Sequence, residues 1–306
     1  MVVMRMGVLD IGSNTGHLLV VDAFRGGSPL AAHSYKEPLR LAEHIDAEQA
    51  MTVEGIDRLV KYVVEARSEA EDKGCTTILA FATSAVRDAV NVDDVIAAVN
   101  QASDLDLQVL AGPDEARLTF LAVRRWFGWS SGRLGVFDIG GGSLEIAAGA
   151  DETPDVAQSM ALGAGRLTRE WLAAGRTHAE LRRYVRSRIA DEAGAVLRGG
   201  AFDRAVATSK TFRSLARICG AAPSSEGQYV RRVLRKHDLS VLVEQLRSMP
   251  PEEVGRLPGV SVDRAHQIQA GALVAEATMD LFDLQELEIC PWALREGVLL
   301  EHLDGL

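Results

Sequence analysis

Two short segments of the chain carry acids and glycines in the same order. VLDIGSNT supplies Asp10, Gly12, Ser13, Asn14 and Thr15, and VFDIGGGSLEI supplies Asp138, Gly140, Gly141, Gly142, Ser143 and Glu145. A phosphate group needs several N–H donors converging on it, and glycine lets a backbone turn tightly and come close. Neither segment is a G-x-x-x-x-G-K-[ST] loop. Neither is a dinucleotide fingerprint, because a strand and not a helix follows each one. Each reads as a β-hairpin turn that clamps a phosphate, although an ordinary hairpin turn favours the same residues. Asp10, Asp138 and Glu145 are attached to these loops. If the loops face each other, the three acids converge on the phosphates and a cation must lie between. Mg²⁺ binds one or two carboxylates plus substrate phosphates. Mg²⁺, or Mn²⁺ in its place, is therefore expected from charge balance, with no metal motif to announce it.

Glu115 is the candidate general base, since a carboxylate can take the proton of an attacking water. Read locally, Asp114 and Glu115 also suit the first turn of a helix, where acids complement the dipole. Thr83, Ser84 and Arg87 lie where a strand enters a helix, and Thr208, Ser209 and Lys210 do the same later in the chain. Hydroxyl and N–H groups at such a helix start suit an anion and equally suit plain capping. Two basic runs, RRYVRSR (182–188) and RRVLRKH (231–237), are candidates to guide a polyanion or are solvated helix faces.

The elements that must position these residues read as α/β. MGVLD and GHLLVVDAF are strands around the first loop. Residues 52–73 have the apolar spacing of a helix, capped by Thr52 and Gly74. TTILAFATS and LDLQVLAG are strands. AVRDAVNVDDVIAAVNQ is helical with a break near Asn91, and DEARLTFLAVRRWFG is a long helix. RLGVFD and LEIAAGA flank the second loop. Residues 229–247 and DRAHQIQAGALVAEATMDLF read as helices, as does PWALREGVLLEHL. Asp138 follows Asp10 by 128 residues, and ATSKTFRSLA follows ATSAVRDA by 125. Two matched features at nearly one offset predict a duplicated unit, with lobes at 1–128 and 129–306 and the last helix packing back on the first lobe.

The 306 residues are 47% hydrophobic and 25% charged, enough to bury cores without a staple. The net charge of −10 argues against nucleic acid as a partner and requires local help for a polyanion. Three scattered cysteines, no run long enough to span a bilayer and an early Asp10 lead to the expectation of a cytoplasmic protein with no membrane partner. A homodimer is left open.

Together these segments resemble the exopolyphosphatase / guanosine pentaphosphate phosphohydrolase (Ppx/GppA) family. The resemblance runs through VLDIGSNTGHLLV, KEPLRLAE, AFATSAVRDAVN, VLAGPDEARLTF, FDIGGGSLEI, LGAGRLTREW and AGALVAEATMDLFDLQELEICPWALREGVLL. It implies two duplicated actin-like, ribonuclease H-like lobes with a cleft between them. It implies hydrolysis of a terminal phosphoanhydride of inorganic polyphosphate, with guanosine pentaphosphate as the alternative substrate. An actin-like, ATP-binding kinase or switch is the rival from another class. By this resemblance Glu115 activates water, Arg87 and Arg40 face the phosphates, and Asp10–Thr15 and Asp138–Glu145 are the phosphate loops. The chain departs from the family pattern at Ser209-Lys210-Thr211, where many members have a glycine-containing S-G-T. Lys210 is read as contacting a further phosphate. The chain ends at Leu306, where larger members continue, and the expectation is a preference for short chains.

Overall fold

The computed structural model describes residues 3–306. The chain forms two compact units. The first runs to Glu115 and takes in Arg295–Leu306, and the second is Ala116–Leu294. The division falls inside a helix, after Glu115.

The first unit is built on strands β1 (Met4–Ile11), β2 (Thr15–Ala23), β3 (Leu30–Pro38), β4 (Thr77–Ala82) and β5 (Leu107–Val109), in the order β3-β2-β1-β4-β5. β1, β2 and β3 pair antiparallel, whereas β4 and β5 run parallel to β1. Helix α1 (Val53–Asp72) starts where the Thr52 hydroxyl accepts from Gly55 N at 3.2 Å. Its Leu59, Tyr62, Val63, Ala66 and Ala70 are buried, the i, i+3, i+4 stripe that the sequence spells. α2 (Ser84–Arg87) and α3 (Val92–Ser103) are separated at Asn91, at the expected break. α4 (Gly112–Phe127) begins in this unit and continues into the next.

The second unit repeats the plan. Strands β6 (Leu134–Ile139), β7 (Leu144–Gly149), β8 (Val156–Met160), β9 (Arg204–Thr208), β10 (Val233–Arg235) and β11 (Glu286–Ile289) stand in the order β8-β7-β6-β9-β11-β10. The first five places match β3-β2-β1-β4-β5 in order and direction, and β10 is an added antiparallel edge. Its helices are α5 (Ala164–Leu167), α6 (His178–Leu197), α7 (Ser209–Ile218), α8 (Lys236–Leu246), α9 (Pro251–Val254) and α10 (Ile268–Leu281); α11 (Leu294–Asp304) closes the chain. Each unit has its own buried apolar cluster.

Two expected helices differ. Residues 229–247 begin as turn and strand, with α8 starting only at Lys236. The helix expected from Asp263 opens with a 3-10 segment, Val262–Gln267, before α10. The edge strands β3, β8 and β10 are absent from the sequence reading. Among the described residues no helix is long and apolar enough to cross a membrane.

Candidate active site

The two glycine segments fold as the same turn. Gly12 N donates to Thr15 O at 3.1 Å, and Gly140 N donates to Ser143 O at 2.9 Å. In each unit the loop carbonyls are then drawn to one side by the segment after the third strand. In the first unit Ala42 N donates to Ser13 O (3.2 Å) and Arg40 N to Asn14 O (3.0 Å). In the second, Ala164 N donates to Gly140 O (3.0 Å) and Arg166 N to Gly141 O (2.9 Å), while the Arg166 side-chain Nε donates to Gly142 O (3.0 Å). A trans peptide points its N–H opposite to its C=O. Anchoring these carbonyls therefore aims the N–H groups of Asn14 and Thr15, and those of Gly141, Gly142 and Ser143, away from the anchoring segment. Several amides on one face of a tight turn make an anion-binding concavity.

The anchoring segments are themselves part of the repeat. Arg40-Leu41 and Arg166-Leu167 lie 126 residues apart, beside the 128-residue offset of the loops. Arg40 reaches its loop through its backbone, in the left-handed region at φ 52°, and its side chain is exposed. Gly163 packs so tightly on the second loop that a Cβ there would meet Gly142 C and Ser143 N at 2.3 Å. Neither Gly163 nor Arg166 was among the sequence candidates. The doubled Arg-Leu pair was the available signal.

In the first unit the loop is tied to the start of α2. The Ser13 and Ser84 hydroxyls, both buried, lie 2.9 Å apart, and Thr83 N donates to Ile11 O at 3.1 Å. At the end of α2, Arg87 donates through Nη1 to the Glu115 carboxylate and to Leu110 O (3.1 Å), and through Nε to Asp88 (3.1 Å). Glu115 is only 6% exposed. A solvated first-turn acid would be open to water, so helix-dipole complementation alone does not describe it. Burial works against the charge on Arg87, but Glu115 and Asp88 outweigh it and hold the guanidinium above its ordinary pKa. The structure thus pairs the expected base with the expected phosphate-facing arginine.

Asp10 and His17 face each other in the β1–β2 ladder, as Asp138 and Glu145 do in β6–β7. His17 therefore occupies the first-unit counterpart of Glu145. Arg295 Nη1 donates to His17 Nδ1 and lies 3.8 Å from Asp10 Oδ2. His17 Nε2 and Ser34 Oγ lie 2.9 Å apart. Arg295, unmarked in the sequence reading, gives Asp10 a cationic neighbour.

In the second unit Asp138 Oδ2 accepts from Thr208 Oγ1 at 2.9 Å, and Glu145 Oε1 accepts from Ser159 Oγ at 2.8 Å. Ser159, Glu145, Asp138 and Thr208 are successive cross-strand partners, one row on one face. Hydroxyl donors hold both carboxylates in place. All-oxygen donors of this kind suit Mg²⁺, which takes one or two carboxylates and completes its shell with water and phosphate oxygens. Among the described residues no group of three or more His, Cys, Asp or Glu that could hold a metal comes together. Lys210, in the first turn of α7 just after Thr208, donates through Nζ to Gly259 O at 3.3 Å.

The basic runs resolve differently from one another. In 182–188, Arg182 pairs with Glu276 (2.8 Å) and Arg186 with Asp280 (2.7 Å). In 231–237, Arg231 pairs with Glu286 and Lys236 with Asp280, both at 2.7 Å, but Arg232 is held by backbone carbonyls.

Two α/β units with one strand order, each with a glycine turn between its first two strands, define a duplicated actin-like fold. An exopolyphosphatase from Cytophaga hutchinsonii shares that fold at a TM-score of 0.87, with 24% identity and 99% of each chain covered. The model of the Ppx/GppA phosphatase family matches residues 20–305, and the chain belongs to that family. It is 53% identical over 306 residues to exopolyphosphatase 1 of Mycobacterium tuberculosis, covering 99% of this chain and 89% of that protein. It is 52% identical to exopolyphosphatase 1 of Mycobacterium leprae, covering 99% and 90%.

Proposed function

We propose that this protein is an exopolyphosphatase: it hydrolyses the terminal phosphoanhydride of inorganic polyphosphate and releases orthophosphate. The observation that carries the reading is the buried Glu115 carboxylate held by Arg87, in the unit whose Gly12–Thr15 turn presents amides to an anion. The names of the mycobacterial relatives supply the substrate class.

In this reading the incoming phosphate competes for Arg87. The guanidinium turns its N–H groups to phosphate oxygens, a bidentate geometry it suits. That releases Glu115 to accept the proton of the attacking water. The amides of the Gly12–Thr15 turn stabilise charge on the transferred phosphoryl group, which is most of what phosphoryl transfer asks of a protein. Asp138 and Glu145 would hold Mg²⁺, whose contribution when bound is to neutralise phosphate charge.

The deciding experiment compares Mg²⁺-dependent phosphate release from tripolyphosphate, longer polyphosphate, guanosine pentaphosphate and ATP, in wild type and Glu115→Gln. Release from the inorganic chains, lost in Glu115→Gln, is the expected result. Exclusive release from guanosine pentaphosphate would move the protein to the family's other reaction. ATP turnover that requires an acceptor would make it a kinase.

A further inference from the structure

The second unit contains a cavity of about 360 Å³ beside helix α7. That volume is in the range of small-molecule sites, about 300–1,000 Å³. Lys210, Arg213, Arg217 and Arg232 line it, together with Gly259 and Pro223, and no acid is among its lining residues. In a chain of net charge −10, four cations around one cavity reverse the bulk balance.

The arginines here are held unlike those of the surface. Arg213 Nε donates to Ser209 O (3.0 Å) and Arg217 Nη1 to Ala221 O (3.0 Å). Arg232 donates to the carbonyls of Ala222, Pro223, Gly227 and Val230 at 2.7–2.9 Å. Main-chain carbonyls orient a guanidinium without neutralising it. Among the described residues these three meet no carboxylate. Arg213 keeps both Nη groups for another acceptor, and Arg217 keeps Nε and Nη2.

Spacing narrows the ligand. Lys210, Arg213 and Arg217 fall at i, i+3 and i+7 on α7 and so share one face. Like charges at this spacing repel each other, and an anion between them removes the repulsion. Seven residues of helix rise by about 10 Å. A single phosphate cannot bridge that span, whereas several phosphates joined in a row can. The first turn of the same helix follows Thr208, whose hydroxyl holds Asp138.

We infer that this cavity is a subsite for the phosphates of the polyphosphate chain that lie beyond the one being cleaved, and that it sets chain-length preference. The inference rests on the exopolyphosphatase reading above. The test uses the intact protein with Mg²⁺ and compares wild type, Arg213→Gln, Arg217→Gln and the conservative Arg213→Lys. Its readout is the KM for a long polyphosphate relative to the KM for tripolyphosphate.

The Gln variants should raise the long-chain KM about tenfold more than the tripolyphosphate KM, the scale of one lost charge-assisted hydrogen bond. Arg213→Lys should recover part of that loss. Binding of long polyphosphate to Glu115→Gln should become less salt-sensitive when Arg217→Gln is added, a readout that needs no turnover. An unchanged KM ratio in variants that keep the wild-type melting temperature overturns the inference and leaves the reaction standing. Loss of ATP binding with no change toward inorganic chains also overturns it, since the occupant would then be a nucleotide. If wild type releases no phosphate from any inorganic chain, the reaction itself is wrong.

Discussion

Arg166 touches the second glycine turn twice, its backbone N–H on Gly141 O at 2.9 Å and its Nε on Gly142 O at 3.0 Å. One residue thereby fixes two consecutive peptides, and with them the direction of the Gly142 and Ser143 amides. Truncating the side chain in Arg166→Met leaves the first contact and frees the second. Losing an aligned donor costs about 10²–10³ in turnover in comparable sites. We expect kcat/KM to fall about 10²-fold with little change in melting temperature. A fall under about threefold would mean that the turn holds its shape without the guanidinium.

Glu115→Gln keeps the shape of the side chain and a hydrogen bond to Arg87 but removes the base. Turnover should drop about 10²–10⁴-fold while polyphosphate binding to the variant persists. Stopped assays for kcat and calorimetry for binding separate the two. Activity near wild type would remove Glu115 from the reaction.

Asp138→Asn and Glu145→Gln each remove one charge from the pair that Thr208 and Ser159 hold. Both should shift the Mg²⁺ activation curve to higher concentration, and chelation should abolish wild-type activity. Thr208→Val should shift the same curve less, because it only loosens Asp138. A variant whose Mg²⁺ titration overlays wild type identifies a carboxylate outside the metal's reach.

Lys210 stands where the family pattern has a glycine, with Nζ 3.3 Å from Gly259 O. Its ammonium is a compact point charge. Lys210→Ala should raise KM more for chains of several phosphates than for pyrophosphate, and added salt should shrink that difference by screening. Equal effects on both substrates would assign Lys210 to tethering the Gly259 loop.

The glycine turns were legible because they occur twice, and because close backbone approach leaves few other residues suitable. Helix α1 was legible from its apolar stripe and caps. The strands β3 and β8 were not, since they lie at the outer side of β2 and β7 and carry polar residues such as the half-exposed His33 and Gln158 and the exposed Lys36. What identifies them is the ladder they complete, which is a tertiary fact. Glu115 was ambiguous for a similar reason: an acid in a first turn looks alike in sequence whether it is solvated or buried against an arginine. Arg166 was hidden because the carbonyl it serves, Gly142, is 24 residues earlier. The helix expected over 229–247 failed at its start, where Val233–Arg235 pair with β11 instead.

The first unit is discontinuous in sequence, and this sets an order of events during synthesis. The ribosome delivers all of Ala116–Leu294 before it makes Arg295, the residue that reaches Asp10 and His17. At about 5–20 residues per second, the early strands wait roughly ten to forty seconds for the segment that completes them. The whole second unit is therefore made between the two parts of the first.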